Sequence, residues 1–197
     1  MKESKFGKGL NLIVAQAGKK APNATRPEVT LVPTINRFSI NSLASEEMQV
    51  ESGDTVTFLV NPDAESFDEK FFITKGFGDS QATLASVGKA KGYGRTLTFN
   101  YSGIYSQMLQ GTVEAKEVSP EGLVSLGLIK EGVTPNGKVS YSALKKIHFH
   151  LVKADTIELE DGEEQNVYAL TDVKFVDYTP REGEPIEDGT EGAEAYE

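Results

Sequence analysis

Hydrophobic and polar positions alternate most regularly late in the chain. Over residues 146–158, Ile147, Phe149 and Leu151 alternate with His148, His150 and Val152. This period of two predicts a β-strand with one buried face. Asp161 and Gly162 supply a hairpin turn, and 166–178 returns with Val173 and Phe175 on one face. The same period occurs earlier, where Val56, Phe58 and Val60 alternate with Thr57 and Leu59. A turn at Gly53 and Asp54 precedes that strand, and Asn61, Pro62 and Asp63 end it. Further strands are predicted at 38–40, 70–74 and 96–101, with a helical turn over 42–48. Ser119 can cap a short helix to Leu126, and Pro120 suits its first position. Pro135, Asn136 and Gly137 form a turn.

Residues 7–33 read differently. They are rich in Gly, Lys and Asn, and Pro22, Pro27 and Pro33 follow closely on one another. Proline breaks helices and cannot donate to a central ladder, which predicts an extended arm with short strands at 10–15 and 29–32. After Pro180 the chain is Glu-, Gly- and Asp-rich with almost no apolar side chains, the composition of a segment without a core. The predicted organisation is an arm over 1–33, one β-rich domain over 34–178, and an acidic tail over 179–197. The fold class expected is mostly β with a few short helices: a compact β-sandwich or barrel-like body with an extended N-terminal arm and an acidic C-terminal tail. Inside the body, Phe38, Leu43, Ser45 and Met48 are echoed by Phe99, Ile104, Ser106 and Leu109. Gly53, Asp54, Thr55 and Val56 are likewise echoed by Gly111, Thr112 and Val113. This weak repeat, 38–60 against 99–118, suggests a strand–helical turn–strand unit used twice about a pseudo-two-fold.

Charge sharpens this division. The chain has 197 residues and a net charge of −10, but residues 1–28 carry +4, residues 29–154 carry −1 and residues 155–197 carry −13. Ten Phe and seven Tyr are enough to furnish a core. No cysteine is present, which removes disulfides and thiolate ligands and fits a reducing compartment. The apolar stretch at 10–15 is short and contains Asn11, so no secretory signal and no membrane span are expected.

Catalytic and metal motifs are absent. His148 and His150 share one strand face, a spacing that suits zinc or copper only with a third ligand, for which the acidic cluster at 158–164 is the candidate source. The plainer reading is two solvent-facing residues, so no metal is expected. The acids Glu158, Glu160, Asp161, Glu163 and Glu164 lack the spacing of a calcium loop. There is no nucleophile elbow and no phosphate loop. The two Gly-x-Gly pieces, Gly76 with Gly78 and Gly92 with Gly94, lack the helix that a dinucleotide site needs. No catalytic residue and no cofactor are expected.

Positive binding character lies in 75–101. Lys75, Lys89, Lys91 and Arg95 face one acid, Asp79, and Phe77, Tyr93, Phe99 and Tyr101 interleave with them. Cations along phosphates and flat rings under bases are what single-stranded nucleic acid requires, so Lys75, Phe77, Lys89, Lys91, Tyr93, Arg95 and Tyr101 are the candidate contacts. With the acidic residues 182–197, the basic stretch 88–95 resembles the organisation of phage and bacterial single-strand-binding proteins. That resemblance implies a tail that competes with DNA and recruits partners. The stretch 43–58, a helix followed by Gly53, Asp54, Val56 and Phe58, is similar to swapped-hairpin transcription regulators but lacks their DNA-binding arginines. It implies a shared local shape. The general character resembles small β-rich proteins of tailed bacteriophages. That likeness implies a structural or assembly protein in a virion or the bacterial host's cytoplasm, with other protein subunits as partners and no membrane. Single-stranded DNA binding is the alternative.

Overall fold

The alternation read from the sequence becomes a burial pattern. The computed structural model describes residues 24–34, 36–77, 81–86, 96–114, 117–159 and 162–178. Among these the strands are β1 Glu28–Val32, β2 Arg37–Ile40, β3 Thr55–Val60, β4 Phe71–Lys75, β5 Ala82–Thr83, β6 Ala85–Ser86, β7 Leu97–Phe99, β8 Ile129–Val133, β9 Val139–Ala143, β10 Lys145–Glu158 and β11 Glu164–Asp177. The helices are α1 Ser42–Glu47, α2 Ser102–Thr112 and α3 Pro120–Ser125. The fold is mostly β with three short helices and a nearly closed, barrel-like sheet.

Nine strands form that sheet in the order β5-β3-β4-β11-β10-β1-β2-β7-β6, every neighbour antiparallel. The two outermost strands, β5 and β6, belong to one segment with only Leu84 between them. Ala82 and Thr83 pair with β3, and Ala85 and Ser86 pair with β7. Between them the Leu84 N–H donates to the Asp54 carbonyl at 2.8 Å, and its own carbonyl accepts from Gly53 N–H at 2.9 Å. Residues 82–86 therefore join both edges of the sheet, and Gly53 takes the φ of +102° that this tight approach requires.

The inner faces carry Val29, Leu31, Phe38, Ile40, Phe58, Ile73, Leu97, Phe99, Ile147 and Phe149, all buried. Phe38 stacks on Phe99 with centroids 5.3 Å apart, and Phe58 tilts against both at 5.4 and 5.9 Å. Helix α2 covers one end. Its Gly111 lies where an added Cβ would stand 3.1 Å from the Phe71 ring and 3.2 Å from the Phe67 ring, so a larger residue would press on both rings and glycine lets the helix sit close without that adjustment. Ser119 caps α3 by accepting from Gly122 N–H at 3.1 Å. The separate β8–β9 hairpin follows α3, and the Leu128 carbonyl ties it to the start of β10 through Leu144 N–H and Lys145 N–H.

Two expectations change. The boundary at Pro33 moves forward, because Glu28–Val32 is an interior strand between β2 and β10 and Pro33 is itself buried. Proline is tolerated there because it stands at the turn after the strand. In the repeat, Phe38 does face Phe99 in register, and a helix follows each strand. The second copy then diverges: Gly111 and Thr112 stay helical instead of opening a strand, since Gly111 seals α2 onto Phe67 and Phe71. The strand candidate at 10–15 and the tail at 179–197 lie outside the described residues.

Leu84 is 1% exposed in the closing segment, whereas Leu126, after α3, is 55% exposed. Leu84→Ala should cost about 2–5 kcal/mol, and Leu126→Ala should stay within about 0.5 kcal/mol. Urea-unfolding midpoints of the two variants measure the contrast, and equal losses would contradict the role given to residues 82–86.

Candidate functional site

The residues nominated for nucleic acid do not gather into a stacking platform among the described residues. Phe99 is buried under Phe38, and Tyr101 sets its ring edge-on against Phe58 at 5.3 Å. Both rings belong to the core. Phe77 is half-buried, with its N–H donating to Thr57 Oγ1 at 3.2 Å and its carbonyl accepting from the same hydroxyl at 3.1 Å. Lys75 ends β4 with its Nζ 3.8 Å from Asp54. Lys89, Lys91, Tyr93 and Arg95 lie outside the described residues.

The histidines have a different setting from the one their spacing suggested. His148 is half-buried, and its Nδ1 lies 3.0 Å from Glu28 Oε2 on the neighbouring strand. Glu28 Oε1 in turn accepts from Arg26 Nε at 2.7 Å. Arg26 Nη1 reaches Asp172, and Lys174 Nζ lies 3.0 Å from that same carboxylate. Asp172 sits at φ +48° in β11, where the register with β10 shifts between His148 and His150. This chain of ion pairs fastens the start of β1 to the outer face of β10 and β11. No three His, Asp or Glu side chains among the described residues could together hold a metal ion. No described helix is long and apolar enough to cross a membrane.

Two clefts flank α2. One, of about 220 Å³, lies between α2, α3, β9 and the β1–β2 turn, with Pro33, Tyr105, Leu109, Leu123 and Tyr141 in its wall. Burial pushes the Tyr105 phenol well above the usual tyrosine range, so it stays protonated at neutral pH and supplies no base. The other, of about 410 Å³, is lined by Val113, Glu114, Leu126, Leu128, Lys145 and Phe175. Leu126, Leu144, Phe175 and Val176 are all exposed large apolar side chains. Phe175 pairs with buried Ile147 and so shares its inward side of the ribbon, yet it is 43% exposed where the end of β11 lines this cleft beside α2. The periodicity of 166–178 marked Phe175 as a face residue, but nothing in the sequence showed that this face would outrun the barrel.

The strand registers also fix where the charged segments leave the barrel. β1 begins at Glu28 opposite His150, and β11 ends at Asp177 opposite Lys145. The two points are separated along β10 by about 17 Å at a strand's rise per residue. β1 runs into the barrel from one end and β11 runs out at the other. Residues 1–23 (net +4) and residues 179–197 (net −6) therefore join the barrel at opposite ends. Ile40 faces Val29 and Leu97, and Leu97 faces Ser86, so residues 87–95 attach at the same end as residues 1–23. The chain matches no protein-family model, no curated protein and no solved structure.

The ion-pair chain makes a pH prediction. Partial burial would raise the Glu28 carboxyl, but the bonds from Arg26 and His148 outweigh it and hold the group below its usual value. The bonds from Arg26 and Lys174 lower Asp172 likewise. A carboxyl lowered in the folded chain binds fewer protons there than in the unfolded chain. Its contribution is complete above the ordinary carboxylate range and is lost as pH falls through the lowered value. Urea midpoints of the natural chain and of the Glu28→Gln, Asp172→Asn double variant should differ most at about pH 7 and converge by about pH 2. A gap that stays constant over that range would exclude the pairing as a source of stability.

Proposed function

We propose that this is a non-enzymatic assembly protein, of the accessory kind found in bacteriophage particles, whose copies join head to tail through opposite charges. The observation that carries the reading is the separation of the basic leading segment from the acidic trailing segment at opposite ends of one rigid barrel. Such a body presents different surfaces at its two ends, so contact between unlike ends is heterologous and can build a ring or an open row. Attraction between exposed charges of opposite sign speeds encounter and orients the partners, and salt weakens it.

A specific observation keeps single-stranded DNA as the second reading: the basic residues 87–95 attach at the same end as the basic leading segment. Polyanion binding at that end would be opposed by the acidic tail of the same chain or of a neighbour.

Sedimentation velocity distinguishes the readings. The full chain should form oligomers at about 0.01 M ionic strength and dissociate at about 1 M. Chains lacking residues 1–23 and chains lacking residues 179–197 should each stay monomeric, while their mixture should form a heterodimer and stop there. A chain that remains monomeric at low salt, yet binds a labelled single-stranded oligonucleotide more tightly once 179–197 are removed, would replace the assembly reading with the DNA one.

A further inference from the structure

Charge alone does not explain the apolar surface at the tail's end of the barrel. Val113, Leu126, Leu128 and Phe175 line the larger cleft. A cleft of about 410 Å³ accommodates two or three aliphatic side chains, and surface of this kind marks a site that is covered in the working state. The cleft is also continuous with the start of the acidic tail. Lys145 in its wall pairs with Asp177 at 3.0 Å, and Tyr178 N–H donates to the Leu144 carbonyl at 2.7 Å. Chain leaving Tyr178 therefore starts beside this cleft, and it carries seven carboxylates over residues 179–197.

The leading segment has the complementary composition. Residues 10–15 hold Leu10, Leu12, Ile13 and Val14, with Lys2, Lys5 and Lys8 before them and Lys19 and Lys20 after. An apolar run between lysines matches an apolar cleft beside carboxylates. Resting on the head-to-tail reading above, we infer that this cleft receives residues 10–15 of a second copy, while that copy's flanking lysines meet Glu114 in its wall and Asp177 beside it. The geometry favours a neighbour's segment over the chain's own. Residue 15 is nine residues from residue 24, a reach of about 30 Å at full extension. From the opposite end, the path must cover about 17 Å along β10 and then round the helix-covered end. The chain's own segment would spend more than half of that reach along β10 alone, a restriction that costs conformational entropy a neighbour's segment does not lose.

Because the chain has no cysteine, disulfide trapping reads the contact cleanly. Full-length Ile13→Cys is mixed under mild oxidation with full-length Leu126→Cys, or with Val152→Cys, an exposed position on β10 away from the cleft. The cross-linked heterodimer with Leu126→Cys should exceed that with Val152→Cys by at least about tenfold, because docking raises local concentration. Adding Phe175→Glu to the Leu126→Cys chain should return the yield to the control level. Cross-linking only when both cysteines are in one chain would show the chain's own segment in the cleft and overturn the inference. No excess over the control, with salt-sensitive oligomers still present in sedimentation, would overturn the cleft and leave the head-to-tail reading standing. No oligomers at any salt would overturn both.

Discussion

Residues 82–86 are the constraint on which the rest of the fold depends. An antiparallel sheet with β3 at one edge and β7 at the other would expose two rows of unpaired N–H and C=O groups, each a template for unwanted pairing. A single extended segment satisfies both, pairing forward with β3 and then with β7 while Leu84 turns into the core. Ala82, Thr83, Ala85 and Ser86 are small or short, so β3 and β7 can approach the same five residues from either side. The curl that results brings Phe38, Phe58 and Phe99 into one ring cluster. Such aromatic pairs add about 0.5–1.5 kcal/mol beyond their buried area.

That cluster also decides which chemistry the surface can carry. Two of the four rings that interleave with basic residues in 75–101, Phe99 and Tyr101, are used to fill the barrel and cap its core. The polar groups left on the outer wall are drawn into the ion pairs around Arg26, which hold the entry of β1 against β10 and β11. Glu28 therefore has two partners and His148 one, and neither stands free beside a nucleophile. The barrel is a support, and its distinctive features lie at its two ends.

Much of this was legible from period two alone. The strands at 55–60 and 145–158 and the Ser119 cap follow from local rules, because each has its own alternation or capping pair. The closing segment was not legible, since five residues of small side chains carry no period and owe their conformation to two partners distant in sequence. Pro33 suggested an arm because proline is rare within sheets, yet one turn after β1 was enough to accommodate it. Gly111 suggested the opening of a second strand in the repeat, but it stays in α2, where its missing Cβ lets the helix pack against Phe67 and Phe71. The Glu28–His148 pair depends on the β1–β10 register and Phe175 on the irregularity at Asp172, and neither is encoded in a local window.

The two charged segments pose a competition that the barrel resolves in part. A nineteen-residue chain with random-coil statistics would have a root-mean-square span of about 24 Å, enough for residues 179–197 to reach back toward their own chain's basic end. Tethering of that kind gives an effective concentration in the millimolar range, which a neighbour must exceed if charge is the only attraction. Opposite charges on one chain would then tend to neutralise each other internally and oppose assembly. The proposed cleft contact, which would use up more than half of the reach of the chain's own segment, would shift the balance, because it would add apolar burial chiefly to the intermolecular pairing. Burying two aliphatic side chains contributes about 3–6 kcal/mol before losses from ordering, and each 1.4 kcal/mol retained lowers the concentration needed by about tenfold. On the proposed head-to-tail reading, an apolar cleft at the end opposite the basic segment would let complementary charges link copies instead of closing on themselves.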